Sequence, residues 1–510
     1  MIARREVLQR LSSEAFDIVI VGAGITGAAI ASRAARSGLT TLLIEKNDFG
    51  SGTSSASSKM LHGGLRYLEQ GHISLVKEAL RERGRLVRRL GTRRARVVPF
   101  LLPIRGSAMD GFKLRFGTWM YQRLSGKLAL GPRRVLSADE VRKRVPSLRT
   151  DRLRGGVLYY EGVVDDVLLV LDLVRTTIRH GGVALNHARV TRLIQEEGKV
   201  IGVEFRDAIG GTVGRVRARG VVNAAGVWSG QWAGASKTPA LRPSKGVHLV
   251  FPHDRFPVND AVVLEAPDHR WVFALPYGRL TIVGTTDTDY SGDLDAVVPE
   301  KKDVSYLLDT IHREFPNLKV GVMDIVDAYA GLRPLLAGVG QTPGELSRED
   351  VVQSDPSGLV TTVGGKLTTH AAMAERTLKL FSEVTGIRAP RIPVENDHPD
   401  QEDRPWPGTD WVHPPLTPSS GLASWDHIVE SEAGDLLAAT LEDVVDRRLH
   451  YLERLDPHFV SMLTELSKVV GRTLSWSETD REEMLRTYQT HLAELHRAIY
   501  DLQGDGRKGS

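Results

Sequence analysis

The chain has 510 residues, 41% hydrophobic and 25% charged, with a formal net charge of +4 and no cysteine. At about 150 residues per domain this is an ordinary globular composition with room for two to four domains. The missing thiols exclude disulfides, thiolate metal sites and cysteine nucleophiles and fit a reducing compartment; the small charge makes no case for nucleic acid, and no apolar run approaches the ~20 residues of a membrane-spanning helix.

Residues 1–17 lack the unbroken apolar centre of a secretory signal and read as a short amphipathic helix or a tail. From 16 to 45 the pattern is strand (FDIVIV), turn (GAGITG), helix ending on Gly38, and a second strand (TTLLIE). Gly22, Gly24 and Gly27 form G-x-G-x-x-G. The first allows a tight turn, the second lets backbone approach a pyrophosphate, and the third lets the helix pack close to the strand. The helix N-terminus, at Ile25 and Thr26, offers free N–H groups and a partial positive charge to phosphates. Glu45, with Lys46 beside it, ends the second strand, where a carboxylate accepts both ribose hydroxyls of an adenosine and disfavours a 2′-phosphate. Dinucleotide binding is expected, with NAD and FAD both open at this point.

The stretch that follows, GTSSASSKMLHGGLRYLEQG at 52–71, favours FAD. An NAD domain continues with a helix and strand. Here small hydroxyl residues, Thr53, Ser54, Ser55 and Ser58, let the backbone pass beside a flat, extended ligand; Lys59, Leu61, His62, Gly63 and Gly64 follow. The expected neighbour is the flavin end of a non-covalent FAD. Next, Arg81, Arg83, Arg85, Arg88, Arg89, Arg93, Arg94 and Arg96 crowd one helical segment. Residues 110–127 then mix cations with Phe112, Phe116, Trp119 and Tyr121. The region is either a solvated helix followed by a packed segment or a face for anionic lipid. Zinc-finger spacing, a single-strand aromatic platform and a long basic stripe are all missing, so no nucleic-acid partner is expected.

In VVNAAGVWS, small residues at Ala224, Ala225 and Gly226 allow a turn to lie against the cofactor; Trp228 packs near it or in the core. GVHLVF, RWVFALPY and RLTIVGTTD are short β patterns, the last two joined across Gly278 as a hairpin. Residues 358–381 read strand, glycine turn, helix. Lys366 is expected to begin that helix after Gly364 and Gly365. Its ammonium and the helix N-terminus would stabilise the anionic edge of a reduced flavin, with Gly365, Leu367, Thr368 and Thr369 as further cofactor contacts. His62 and His248 are the candidate bases. The other histidines show no metal-ligand spacing, so no metal is expected. Residues 391–420, rich in proline and polar residues, read as a linker, the segments near 427–455 and 479–503 as helices, and the tail at 504–510 as disordered.

VGAGITGAAIA, GTSSASSKMLHGGLRYLE, VVNAAGVWS, IVGTTDTDYSGD, AGLRPL and VGGKLTTH together resemble the FAD-dependent glycerol-3-phosphate dehydrogenase family, within the glycine/D-amino-acid oxidase-like flavoproteins. The resemblance covers most of residues 16–385, and LAATLEDVVDRRL is similar to the start of the family's C-terminal helical domain. It implies an α/β fold: a Rossmann-like FAD lobe (14–100, 155–235, 335–385) interleaved with an antiparallel-sheet substrate lobe (101–154, 236–334). A linker and C-terminal helical domain (391–510) would follow. It implies oxidation of sn-glycerol 3-phosphate to dihydroxyacetone phosphate by hydride transfer to FAD. Electrons would pass to a membrane quinone, from a cytoplasmic enzyme peripheral on the inner face of the membrane; a homo-oligomer stays open. Arg66, Tyr67, Thr286, Arg333 and Lys366 match substrate-pocket positions, Arg333 and Lys366 also catalytic ones, and Val190 would place its backbone by the adenine. A guanidinium fork suits a phosphate. The alternatives are an oxidase that reduces oxygen to hydrogen peroxide, and a related flavoenzyme acting on an amino or hydroxy acid.

Overall fold

A computed structural model describes residues 4–69, 71–232, 240–336, 350–388, 390, 429 and 436–500. The expected linker at 391–420 and the tail at 504–510 lie outside the described residues.

Two large sheets organise the chain. The first has six strands in the order Asp350–Ser354, Val360–Gly364, Val221–Asn223, Ile18–Val21, Thr41–Ile44, Val183–Leu185. All neighbours are parallel except the first pair. Its central strands are buried at every position, as befits a parallel sheet covered on both faces. Helix Ile25–Arg36 packs against helices Asp166–Arg179 and His370–Thr385. A three-stranded antiparallel sheet (Ala188–Glu196, Lys199–Asp207, Val213–Arg217) shares a second apolar core with the parallel strands and with Val7 and Leu11 of helix Arg4–Ser13.

The other large sheet has ten strands, with Asp327–Leu336 and Arg134–Leu136 attached beside that path. Trp271–Tyr277 and Leu280–Gly284 form the expected hairpin, and Gly278 takes a positive φ of 62° between them. Ala95–Ile104 and Gly155–Val164 pair over their whole length in this sheet. The expected boundaries put 95–100 and 155–164 on the cofactor side, and the first difference from expectation is that both segments pair in this sheet. An unbroken apolar run reads alike for either sheet, and only the partner strand decides. A second difference concerns Lys366. Gly364 (φ 84°) and Gly365 (φ 74°) turn the chain, Leu367–Thr369 form a 3-10 turn, and the helix starts at His370.

The arginine-rich segment forms helix Ile73–Arg94, interrupted at Gly91. It is not a uniform basic face. Arg83 is buried, 2.5 Å from Glu161, and Arg94 lies 3.3 Å from Asp172; the Arg93 side chain lies outside the described residues. By contrast, helix Ala108–Ser125 exposes Met109, Phe112, Phe116 and Trp119. Their spacing puts them on one face, with Phe112 stacked on Phe116 and Phe116 on Trp119. Among the described residues no helix is long and apolar enough to cross a membrane.

Helices Pro457–Leu474 and Glu478–Tyr500 pack on each other around Phe459, Leu463, Leu466, Tyr488 and Leu492. Leu495 and Ile499 continue into the core beneath the ten-stranded sheet, so this region is joined to the body of the protein.

Candidate cofactor and substrate site

The three glycines of the first turn do different work. A Cβ at Gly22 (φ 101°) would stand 2.6 Å from the Ala224 carbonyl oxygen, and one at Gly27 only 1.8 Å from that of Gly22. The protein's own packing therefore demands both. Gly24 has φ −70°, open to any residue, and a Cβ there would meet only Ser54 Oγ, at 3.1 Å. What keeps this position small is space the protein does not itself fill. The Ile25 N–H donates to Ser54 Oγ at 2.8 Å, tying the helix N-terminus to the hydroxyl-rich loop.

Glu45 is held beside this cradle. Its carboxylate accepts the N–H groups of Ala23 (2.7 Å) and Asn47 (3.0 Å), and burial pushes its pKa up. Lys46 stands 3.8 Å over the ring of Trp228 and pairs with Asp295. The Trp228 indole N–H is buried with no hydrogen-bond partner among the described residues. A glycine cradle with room beyond Gly24, a fixed carboxylate and an orphaned indole donor fit an adenine dinucleotide.

All three border one cavity of about 480 Å³. Of the expected cofactor residues, Gly22, Gly24, Ile25, Thr26, Glu45, Lys46, Thr53, Ser54, Val190, Ala224, Ala225, Gly226, Trp228, Gly365, Lys366 and Leu367 line it. Sequence reasoning missed Arg189, Thr191, Gln231 and Thr362, which also line it. Arg189 and Thr191 flank Val190 on one strand and could have been added with it. Gln231 and Thr362 carry no recognisable signal.

The remaining expected residues stand around this cavity rather than on its wall. Gly27 serves helix packing, and Ser55 Oγ donates to the Gly52 carbonyl at 3.0 Å. Leu61 is wholly buried in the short strand Met60–Leu61. Lys59 is held by the protein itself. It is fully buried, with its ammonium 2.8 Å from Asp166 and 3.1 Å from His450 Nε2, so the protein's own partners take up the charge.

Two clusters adjoin the cavity. In the first, the His62 N–H donates to Thr368 Oγ1 (3.1 Å), the Gly63 N–H to the Tyr121 hydroxyl (2.7 Å), and Thr369 Oγ1 to the Lys366 carbonyl (3.3 Å). The Lys366 ammonium sits 4.0 Å over the Tyr67 ring, and a Cβ on Gly64 would clash with that ring at 2.4 Å. The His62–Gly64 segment, Tyr67 and the 366–369 turn are thus brought together. Arg66 is exposed at the start of helix Arg66–Glu69 and does not line the cavity.

The second cluster holds His248 and Arg333. His248 is buried, its ring stacked on Tyr329 and its Nε2 2.8 Å from Ser58 Oγ. Its Nδ1 has no hydrogen-bond partner among the described residues. Burial, and then the positive charges of Arg333 and Lys59, hold its pKa well below the usual histidine range, so the ring is neutral. Arg333 donates to Asp287 (3.0 Å), Thr285 Oγ1 (2.9 Å) and the Thr286 carbonyl (3.2 Å). The Thr286 hydroxyl accepts the Val247 N–H at 3.0 Å, so this residue meets Arg333 through its backbone. The cofactor loop packs directly on Arg333's strand: Thr53 Oγ1 donates to the Leu332 carbonyl at 2.6 Å, and a Cβ on Gly331 would stand 2.7 Å from that of Ala56.

Residues 17–380 match the family described as FAD dependent oxidoreductase (DAO). Over 369 residues the chain is 40% identical to glycerol-3-phosphate dehydrogenase 2 of Mycobacterium tuberculosis (strain ATCC 25618 / H37Rv), covering 72% of this chain and 63% of that protein. Over 384 residues it is 37% identical to the aerobic glycerol-3-phosphate dehydrogenase of Bacillus subtilis (strain 168), covering 74% and 69%. It therefore spans only part of the length of these curated relatives. Among solved structures, a glycerol-3-phosphate dehydrogenase from Bacillus halodurans complexed with FAD is similar with a TM-score of 0.73 at 26% identity, covering 98% of each chain.

Proposed function

We propose, from the premise that the chain belongs to the FAD-dependent oxidoreductase family and to its glycerol-3-phosphate dehydrogenase branch, that it oxidises sn-glycerol 3-phosphate to dihydroxyacetone phosphate with non-covalent FAD. The observation that carries this is the contact between the cofactor loop and the strands of His248 and Arg333: Ser58 on His248, Thr53 on Leu332. This contact supports reading His248 as the base and Arg333 as the substrate cation beside the dinucleotide cradle.

When bound, FAD would supply hydride-accepting chemistry, and the residues lining the cavity would hold it. The chain's residues do the rest. Neutral His248, with Nδ1 uncommitted and Nε2 steadied by Ser58, takes the C2 hydroxyl proton as the hydride leaves. His62, whose backbone N–H bonds Thr368 Oγ1, is second choice. Arg333, its guanidinium positioned by Asp287, Thr285 and the Thr286 carbonyl, is the cation assigned to the phosphate by charge, and Arg66 is a second phosphate candidate. Lys366, lining the cavity and resting on Tyr67, would stabilise negative charge that develops on a bound cofactor.

Arg333→Ala should weaken sn-glycerol 3-phosphate about tenfold to hundredfold, from the ~1.5–3 kcal/mol of a charge-assisted hydrogen bond. Free glycerol should be little affected. Anaerobic titration of flavin bleaching measures both. Equal affinity for the phosphate ester in variant and wild type would make Arg333 a structural partner of Asp287 only.

We also assign the electron acceptor to a membrane quinone and the docking surface to helix Ala108–Ser125. Its exposed Met109, Phe112, Phe116 and Trp119, with exposed Lys113 and Arg115, have the aromatic and cationic chemistry of a face at an anionic bilayer. Phe112→Ser with Trp119→Ser should lower co-sedimentation with anionic vesicles at 0.5 M salt, where screening has removed most of the cationic attraction. Flavin reduction by substrate should be unchanged. Equal sedimentation of variant and wild type would remove this helix from the interface.

A further inference from the structure

We infer that the turn Asp443–His450 is a built-in clamp on the cofactor loop, and that Arg447, Arg448 and His450 are positioning residues for FAD. The inference rests on the FAD reading above. Residues 48–59 carry the small hydroxyl side chains that border the cavity, and their two ends are gripped by one short segment from far along the chain. At the start of the loop, Asp48 is fully buried. It accepts from Arg447 Nε at 2.8 Å and from Arg448 Nη1 and Nη2 at 2.7 and 2.9 Å. At its end, Lys59 is fully buried between Asp166 and His450, and His450 in turn bonds Asp165.

The same turn also reaches the opposite wall. Asp443 pairs with His187 Nε2 at 2.7 Å and with Arg447 Nη2 at 2.8 Å. The His187 N–H donates to the Asn47 carbonyl at 2.8 Å, and the Ala188 N–H to that of Glu45 at 2.7 Å. Through His187, the clamp therefore also reaches the chain at Glu45 and Asn47. Its own backbone is unusual: Asp443–Arg448 is a π-helical turn, and His450 has φ 46°. Such features persist where surrounding contacts over-determine them, often at functional sites. A loop of small residues makes few packing contacts of its own, so an external grip fixes its shape before the cofactor arrives. That lowers the ordering cost of binding.

The test compares wild type, Arg448→Met, Arg448→Lys and His450→Asn as full-length apo-protein. Asn is chosen at 450 because it tolerates the positive φ. Two quantities are read: the FAD Kd by quenching of flavin fluorescence on reconstitution, and amide exchange in residues 48–59 before FAD is added. Arg448→Met and His450→Asn should exchange faster in 48–59, while the paired strands Ala95–Ile104 and Gly155–Val164 keep their protection. FAD should bind at least about tenfold more weakly, and Arg448→Lys should recover part of the loss. Folded variants with unchanged loop exchange and unchanged Kd would overturn the clamp. If Arg448→Met yields no folded protein, His450→Asn decides by the same two readouts. Failure of the wild type to bind FAD would sink the functional reading instead, and the exchange data would still decide the clamp.

Discussion

Gly24→Val should purify as a folded but colourless protein. At Gly24 a Cβ would meet only Ser54 Oγ, at a tight 3.1 Å that a hydroxyl can yield, and φ −70° suits any residue. The polypeptide therefore tolerates the substitution, and the extra carbons occupy the cradle where a pyrophosphate would approach the backbone. Gly27→Ala is the contrasting case. Its Cβ would stand 1.8 Å from the Gly22 carbonyl oxygen, which the helix cannot yield without leaving the strand. That variant should lose stability, a core overpacking cost of about 1–3 kcal/mol or more, and should lose FAD as a consequence. Thermal unfolding of both apo-proteins, with flavin released by acid, separates the two. If Gly24→Val retained stoichiometric flavin, the cradle would not be the cofactor site.

His248→Asn should keep FAD but slow its reduction by substrate about a hundredfold to ten-thousandfold, the usual worth of a positioned general base. Asparagine fits within the space of the ring but cannot take the hydroxyl proton. The pH profile gives an independent check. A base works when neutral, and burial together with Arg333 and Lys59 holds His248's pKa well below the ordinary histidine value. The wild-type rate should therefore persist as pH falls through about 6.5 and drop only at lower pH. That acid limb should vanish in His248→Asn. A full rate in His248→Asn would move the base to His62.

Much of the cofactor site is legible because its signals are local. The G-x-G-x-x-G turn, Glu45 and the hydroxyl loop lie within 38 residues (22–59), and each glycine's spacing carries its own reason. Where the sequence misleads, the deciding partner is distant. Lys59 reads as a cofactor cation until Asp166 and His450, 107 and 391 positions away, claim it. Thr286 reads as a polar pocket contact, and its hydroxyl accepts the Val247 N–H, a partner 39 positions away. Gly155–Val164 has the apolar run of either sheet and joins the larger through Ala95–Ile104. The arginine-rich helix reads as one basic surface, yet Glu161 and Asp172 draw Arg83 and Arg94 inward. Charge pairing across such separations leaves no periodicity to read.

The most direct test mixes the flavin-loaded protein with sn-glycerol 3-phosphate in the absence of oxygen and follows the oxidised-flavin absorption. Stoichiometric bleaching by this substrate, with free glycerol far weaker, is the expected result. A flavin that stays oxidised with sn-glycerol 3-phosphate but bleaches with an amino acid or a 2-hydroxy acid would contradict it, and would turn Arg333 from a phosphate cation into a carboxylate one.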